Sequence, residues 1–213
     1  MGLSLGPAGP RKVWLSLAWL FLFFSLAGCA VKPVSSINQP VEANLGPILE
    51  VIEHGDWLVA RGTHGPDNFI SSVTNMPFSH SAIYDAENGQ VVEAIARGVV
   101  VATLEDFLGR SSRVWVVKPI WATPETRPKA VARARANVGR KYNYLGLLGL
   151  SIVPNTYYCS ELVVDAWRPF MDKGDDNPIP LVVSPGRLHH WGRVVYDSME
   201  IGPDRNKHAR SKG

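Results

Sequence analysis

The fold is decided by the stretch at residues 157–167, YYCSELVVDAW. It leads from an irregular loop into an apolar helix, which is expected to begin at Cys159 and to end before Pro169. The first-turn N–H groups and the helix dipole favour negative charge at a helix N-terminus, and that setting lowers the pKa of a thiol. Because cysteine chemistry needs the thiolate, Cys159 has the local setting of a nucleophile.

The N-terminus has the pattern of a secretory signal. Arg11 and Lys12 precede an apolar run over residues 13–26, and Leu26-Ala27-Gly28-Cys29 follows. The apolar run is shorter than the ~20 residues that a membrane-spanning helix needs, although a transmembrane anchor is the alternative. The closing tetrad resembles the lipobox of bacterial lipoproteins, in which the cysteine becomes the lipidated first residue. That resemblance implies a lipid anchor at Cys29 and, with Ala30 next to it, a location on the periplasmic face of the outer membrane.

The cysteine count isolates Cys159. The chain has only two cysteines, and if Cys29 is acylated the other cannot form an internal disulfide. A lone thiol in an exported domain is either a buried, inert side chain or a reactive group. Counting alone leaves both readings open.

The charge of the chain excludes one class of partner. The formal net charge is +3, but Arg11 and Lys12 lie in the signal and several basic residues lie in the last stretch. The remaining core is close to neutral and lacks a basic stripe interleaved with aromatic residues, so we expect no nucleic-acid partner. No cofactor is expected either.

One folded domain is predicted. Residues 1–28 form the signal, residues 29–48 a tether rich in Pro, Ser, Asn and Val, and residues 202–213 a disordered tail. The domain between them, residues 49–201, mixes strands and helices without regular βαβ alternation, which predicts an α+β fold with an antiparallel sheet. Three arginines of a predicted helix, Arg127, Arg133 and Arg135, are expected to form a solvated face.

A hairpin offers a base and its partner. A strand beginning near His80 is followed by the turn signal Asn88-Gly89 and by a return strand containing Glu93. Either a two-residue turn, which pairs Glu87 with Gln90, or a register that sets His80 opposite Glu93 puts both side chains on one face. A carboxylate beside the far nitrogen of the imidazole would orient the ring and stabilise the imidazolium. A histidine on a strand with only a structural role is the alternative.

Metal sites find little support. His189 and His190 are adjacent and are expected to face different ways on any regular element. His54 and His64 flank a strand with Asp56 and Asp67 nearby, but nothing else in the sequence supports a metal site there. No metal is therefore predicted.

Two segments carry a family resemblance. Residues 139–144 (GRKYNY) and 158–163 (YCSELV) resemble the nucleophile segment of NlpC-type papain-like cysteine hydrolases. Because His80 precedes Cys159, the order resembles the circularly permuted branch, the YaeF/YiiX-type group, which includes outer-membrane lipoproteins. The resemblance implies a circularly permuted papain-like fold, with an antiparallel sheet or half-barrel packed on the nucleophile helix.

The same resemblance implies roles for four residues. Cys159 is the nucleophile, His80 the base, Glu93 the third polar residue, and Tyr142 adds a hydroxyl to an oxyanion hole begun by the Cys159 backbone N–H. Glu93 departs from the histidine or asparagine that is more usual in unpermuted relatives. Tyr142 as a packing residue is the alternative.

The expected activity is amide hydrolysis at the cell envelope. The substrate would be a peptide, possibly of peptidoglycan, or an amino-acid amide. One alternative is a lipid acyltransferase or thioesterase with the same thiol mechanism. Another is a non-catalytic envelope lipoprotein.

Overall fold

The computed structural model describes residues 45–63, 77–146, 153–171 and 178–199, which belong to one compact unit. The predicted signal, Cys29 and the predicted tail lie outside the described residues. In the described ranges, no helix combines the length and the apolar character needed to cross a membrane.

The helices are α1 (Leu45–Leu49), α2 (Leu104–Gly109), α3 (Thr126–Arg135) and α4 (Cys159–Trp167), with 3₁₀ turns at Arg168–Phe170 and Pro185–Trp191. The strands are β1 (Trp57–Gly62), β2 (His80–Asp85), β3 (Gln90–Ile95), β4 (Gly98–Thr103), β5 (Ser111–Pro119), β6 (Lys141–Tyr142), β7 (Thr156–Tyr157) and β8 (Gly192–Asp197).

The main sheet is antiparallel throughout. In the described part of the chain it has six strands in the order β4-β3-β2-β1-β5-β8, while β6 and β7 form a separate parallel pair. The prediction of an α+β fold built on an antiparallel sheet is therefore confirmed.

Both faces of this sheet are buried. Successive side chains of a strand point to opposite faces, so Trp57 and Val59 of β1 join one apolar cluster while Leu58 and Ala60 join another. Helices α3 and α4 cover the first face, and α1 and α2 cover the second. Helix α4 is thus held against the sheet by a continuous apolar core.

The predicted hairpin forms with a different register. Asp85 pairs with Gln90, so the loop has four residues, and Ala82 lies opposite Glu93. The Asp85 carboxylate sets this loop, because it accepts hydrogen bonds from the Glu87 N–H (3.1 Å) and the Asn88 side-chain amide (2.9 Å). This register lies midway between the two that the sequence suggested, and His80 and Glu93 share a face in all three.

The folded region begins earlier than predicted. Helix α1 starts at Leu45, inside the segment expected to be a tether, and its Ile48 side chain is buried against the second face of the sheet. Ile52 is buried in the same cluster, and Leu45 and Val51 pack against it, so apolar burial holds the short helix on the domain. The packed part of the chain therefore reaches back at least to Leu45, within the residues 29–48 that the sequence analysis assigned to the tether.

The arginines of α3 do not form a solvated face. Arg127 donates to the buried Asp56 carboxylate (2.7 Å) and to the His54 carbonyl (2.7 Å), and Arg135 pairs with Asp85. Asp56 directly precedes β1 and Asp85 is the last residue of β2. The long basic side chains of α3 reach these two carboxylates, which need partners because they are buried. Only Arg133 keeps the expected exposure.

Arg127→Gln is expected to lower the free energy of unfolding by about 3 kcal/mol, because it leaves the buried carboxylate of Asp56 without its cation. Burial raises the pKa of Asp56, and the hydrogen bond from Arg127 offsets only part of that effect. Urea unfolding followed by circular dichroism measures the change. The matched control is Arg133→Gln, whose partner Asp165 is partly exposed, with an expected loss below about 1 kcal/mol. Equal losses in the two variants would contradict the assignment.

Candidate active site

Cys159 is the first residue of α4. Tyr158 before it has extended backbone (φ −93°, ψ 170°), and its N–H donates to the Glu161 carboxylate at 3.3 Å. The Asn143 side chain donates to the same carboxylate oxygen at 3.2 Å. These contacts fix the first turn of the helix and place the thiol, which is buried, at its positive end.

The thiol lies where the pairing of β2 with β3 stops. The last pair of that ladder is Ala82 with Glu93, although β2 begins two residues earlier, at His80. Next to this break, the Ser81 backbone N–H donates to the Cys159 sulfur, and the sulfur is also hydrogen-bonded to the His80 ring. The sheet therefore opens to receive the N-terminus of α4.

The second ring nitrogen of His80 is bound to Glu93. His80 Nε2 and Glu93 Oε2 are 2.6 Å apart, so Nδ1 is the nitrogen left to face the sulfur. The Phe107 ring lies 5.8 Å from the His80 ring between centroids and packs beside it. The structure thus brings together the three predicted side chains, Cys159, His80 and Glu93, in that order.

Arg110 is a residue that the sequence analysis missed. Its guanidinium pairs with Glu93 Oε1, the carboxylate oxygen that His80 does not use, and stands over the Phe107 ring at 5.4 Å. It follows α2, well outside the hairpin, and an isolated arginine in a turn gives no signal of such a contact. Only the packing of α2 beneath the sheet brings it to Glu93.

The thiol and the imidazole shift each other's protonation. Burial by itself lowers the pKa of His80, but hydrogen bonds and charges from Cys159 and Glu93 outweigh it and raise that pKa to about 10. Burial raises the pKa of the Cys159 thiol, but the hydrogen bond and charge of His80 outweigh it, so the net shift is downward. Together these shifts favour a thiolate–imidazolium pair at neutral pH.

Glu93 is held as a carboxylate. Its side chain is only 1% exposed, and burial would raise its pKa, yet contacts with His80 and Arg110 lower it. An ionised Glu93 accepts a hydrogen bond from the imidazolium and so favours the charged form of His80.

Tyr142 lies in the short strand that pairs with the residues just before Cys159. It is opposite Tyr157 in the β6–β7 pair, two residues before Cys159, and its ring packs against Tyr144 at 4.9 Å. Its predicted part in an oxyanion hole stays a prediction.

A second segment is tied to the start of α4. The Ser160 hydroxyl donates to the Val183 carbonyl at 2.7 Å, and the Val183 N–H donates to the Tyr158 hydroxyl at 3.1 Å. Upstream in this segment, Leu181 is 78% exposed. Two hydrogen bonds therefore fix the segment that carries this leucine to the start of α4.

The remaining histidines form no ligand cluster in the described ranges. Groups of three or more His, Cys, Asp or Glu side chains at metal-binding spacing do not occur there. His189 and His190 do not face different ways as expected, because they lie in a 3₁₀ turn and their rings are 4.2 Å apart. His54 accepts a hydrogen bond from the Ala86 N–H, and His64 lies outside the described residues.

Comparison with known proteins identifies the fold and the family. The chain is similar to the crystal structure of metalloprotein yiiX from Escherichia coli O157:H7, with a TM-score of 0.52 and 18% identity over 68% of this chain and 95% of that one. A search of curated proteins gives no match. The sequence profile of the permuted papain-like amidase enzymes, YaeF/YiiX, C92 family, matches residues 51–174, a region that holds His80, Glu93, Arg110 and Cys159. The chain belongs to this C92 family of permuted papain-like amidases, which are cysteine hydrolases.

Proposed function

We propose that this protein is an envelope-anchored cysteine hydrolase that cleaves an amide bond through Cys159, His80 and Glu93. One observation carries the proposal: the Cys159 sulfur is hydrogen-bonded to His80, whose Nε2 lies 2.6 Å from Glu93. A nucleophile, a base and an orienting group in contact are what thiol catalysis requires.

The reaction begins with the thiolate. The Cys159 sulfur attacks the carbonyl carbon of the amide, a C–S bond forms, and the electron pair of the carbonyl moves to its oxygen. The Cys159 backbone N–H and the Tyr142 hydroxyl hold that oxyanion. When the C–N bond breaks, the His80 imidazolium gives its proton to the leaving amine and a thioester remains.

Water completes the cycle. His80, now neutral, takes a proton from a water molecule, and the oxygen of that water attacks the thioester carbon. The C–S bond breaks, the acid product leaves, and the thiolate–imidazolium pair is restored. Glu93 keeps the imidazole in one orientation during both halves of the reaction.

The substrate is a peptide, such as a stem peptide of peptidoglycan, or an amino-acid amide. The family supports amide chemistry, and the resemblance of residues 139–144 and 158–163 to NlpC-type hydrolases supports a peptide at the envelope. The alternative is a lipid acyltransferase or thioesterase with the same thiol mechanism, and the anchor proposed at Cys29 would place such an enzyme beside its substrate.

The location is proposed from the sequence. Leu26-Ala27-Gly28-Cys29 supports lipidation of Cys29, and Ala30 supports the periplasmic face of the outer membrane. The anchor would hold the site next to envelope substrates. No nucleic-acid partner is proposed.

The first prediction concerns the nucleophile. A thiol-reactive activity probe applied to the full-length protein should label Cys159 at least about tenfold faster in the wild type than in His80→Ala, because the variant loses the imidazolium that stabilises the thiolate. Peptide mass spectrometry assigns the labelled residue. His189→Ala, which alters a histidine outside the site, is the matched control and should label at the wild-type rate. Equal labelling rates of Cys159 in the wild type and in His80→Ala would contradict a thiolate–imidazolium pair.

The substrate class is decided by two incubations of the purified protein, one with muropeptides and one with acyl lipids. Release of amine from the peptides, absent in Cys159→Ala, supports the amidase. Release of fatty acid without any peptide cleavage would instead support the acyl-transfer alternative.

The second prediction concerns the anchor. In Cys29→Ser, the amount of the protein in the outer-membrane fraction should fall, because acylation needs the thiol and the lipid chains supply the membrane affinity. Fractionation of cells and mass analysis of the N-terminal peptide test this. The lipid anchor would be contradicted if the variant fractionates like the wild type and the wild-type N-terminal peptide carries no acyl group.

A further inference from the structure

The buried carboxylate of Glu93 has a different partner on each oxygen. Oε2 faces His80 Nε2 at 2.6 Å, and Oε1 pairs with the Arg110 guanidinium. The Arg110 carbonyl accepts the Thr63 N–H at 3.0 Å, which fixes the backbone from which the guanidinium extends. Phe107 contacts both neighbours of the carboxylate, because its ring centroid is 5.8 Å from that of His80 and 5.4 Å from the Arg110 guanidinium.

These contacts form a chain of alternating charge. Arg110 is positive, Glu93 negative, the His80 imidazolium positive and the Cys159 thiolate negative, so the chain is neutral in total. The charged groups that act on Glu93 are His80 and Arg110, and those that act on His80 are Cys159 and Glu93. Without Arg110, the side chains of Glu93, His80 and Cys159 together would carry one uncompensated negative charge, which is costly away from water.

We propose that Arg110 is a positioning residue of this active site, which allows a carboxylate to serve as the partner of His80. The inference rests on the proposed function in one respect, the role of Cys159 as the reacting thiol. Arg110 holds Glu93 ionised and turns its second oxygen toward Nε2. A neutral amide in place of Glu93 would not need that cation.

The pH dependence of thiol reactivity tests this role. In Arg110→Gln, Glu93 loses a contact that lowers its pKa and takes up a proton at higher pH than in the wild type. A protonated Glu93 no longer favours the imidazolium, so the thiolate loses its counter-ion. We expect the acid limb of the rate of Cys159 alkylation by iodoacetamide to move up by about one pH unit, a roughly tenfold loss of rate below that limb. Above pH 9 the two proteins should react alike.

Further variants separate the effect of the positive charge of Arg110 from that of its shape. Arg110→Lys keeps a cation and should restore most of the acid limb. In the double variant Glu93→Gln, Arg110→Gln, the carboxylate that needs compensation is gone, so its alkylation rate should be no lower than that of the slower of the two single variants, Glu93→Gln and Arg110→Gln. Independent effects would multiply in the double variant and would overturn the proposal.

Arg113 provides the matched control. It pairs with the largely buried Asp197 and stands over the Phe78 ring at 5.2 Å, so it resembles Arg110 but does not contact Glu93. Arg113→Gln should lower stability without moving the acid limb. If Arg110→Gln fails to fold, the comparison of Arg110→Lys with the double variant carries the test in its place.

The outcomes distinguish this role from the proposed function. Alkylation needs only the thiol. If the pH profile of alkylation is as predicted but the protein hydrolyses no amide, the proposed amidase function is contradicted and the role of Arg110 is supported. An Arg110→Gln profile that superimposes on that of the wild type would remove the role of Arg110 and leave the amidase.

Discussion

The site depends on one contact, the hydrogen bond between the Cys159 sulfur and the His80 ring, formed where the β2–β3 ladder ends. A continuous ladder would leave no gap for the N-terminus of α4. Because pairing stops at Ala82 and Glu93, the Ser81 N–H is available to the sulfur instead of to β3. Helix dipole, backbone donor and imidazolium then act on the same thiol, and each favours its charged form.

The architecture explains why the parts are far apart in the chain. The sheet presents His80 and Glu93, α4 supplies the thiol, and α2 carries Phe107 and leads into Arg110. Since apolar clusters bury both faces of the sheet, helices on either side are held rigidly enough to hold these groups in contact. The permuted order, with His80 before Cys159, requires only that the hairpin precede the helix, as it does here.

Local patterns predicted the parts of the site that depend on neighbouring residues. The helix start at Cys159 follows from its position between a loop and an apolar run, and the shared face of His80 and Glu93 follows from the period of a strand. The Asp85 loop changed the register without changing that face. By contrast, Arg110, Arg127 and Arg135 meet carboxylates that are distant in sequence. Nothing local distinguishes a long basic side chain that will reach a buried carboxylate from one that stays in water.

The most direct test of the ion pair is the protonation of His80 itself, measured by nitrogen-15 NMR of the histidine rings as a function of pH. The pKa of His80 is raised to about 10, so its charged form should persist above the ordinary value of 6.5 and be lost only as the pH rises through the raised value. The account predicts two protonated ring nitrogens on His80 at pH 8. A neutral His80 ring at pH 8, with a titration near 6.5, would contradict it.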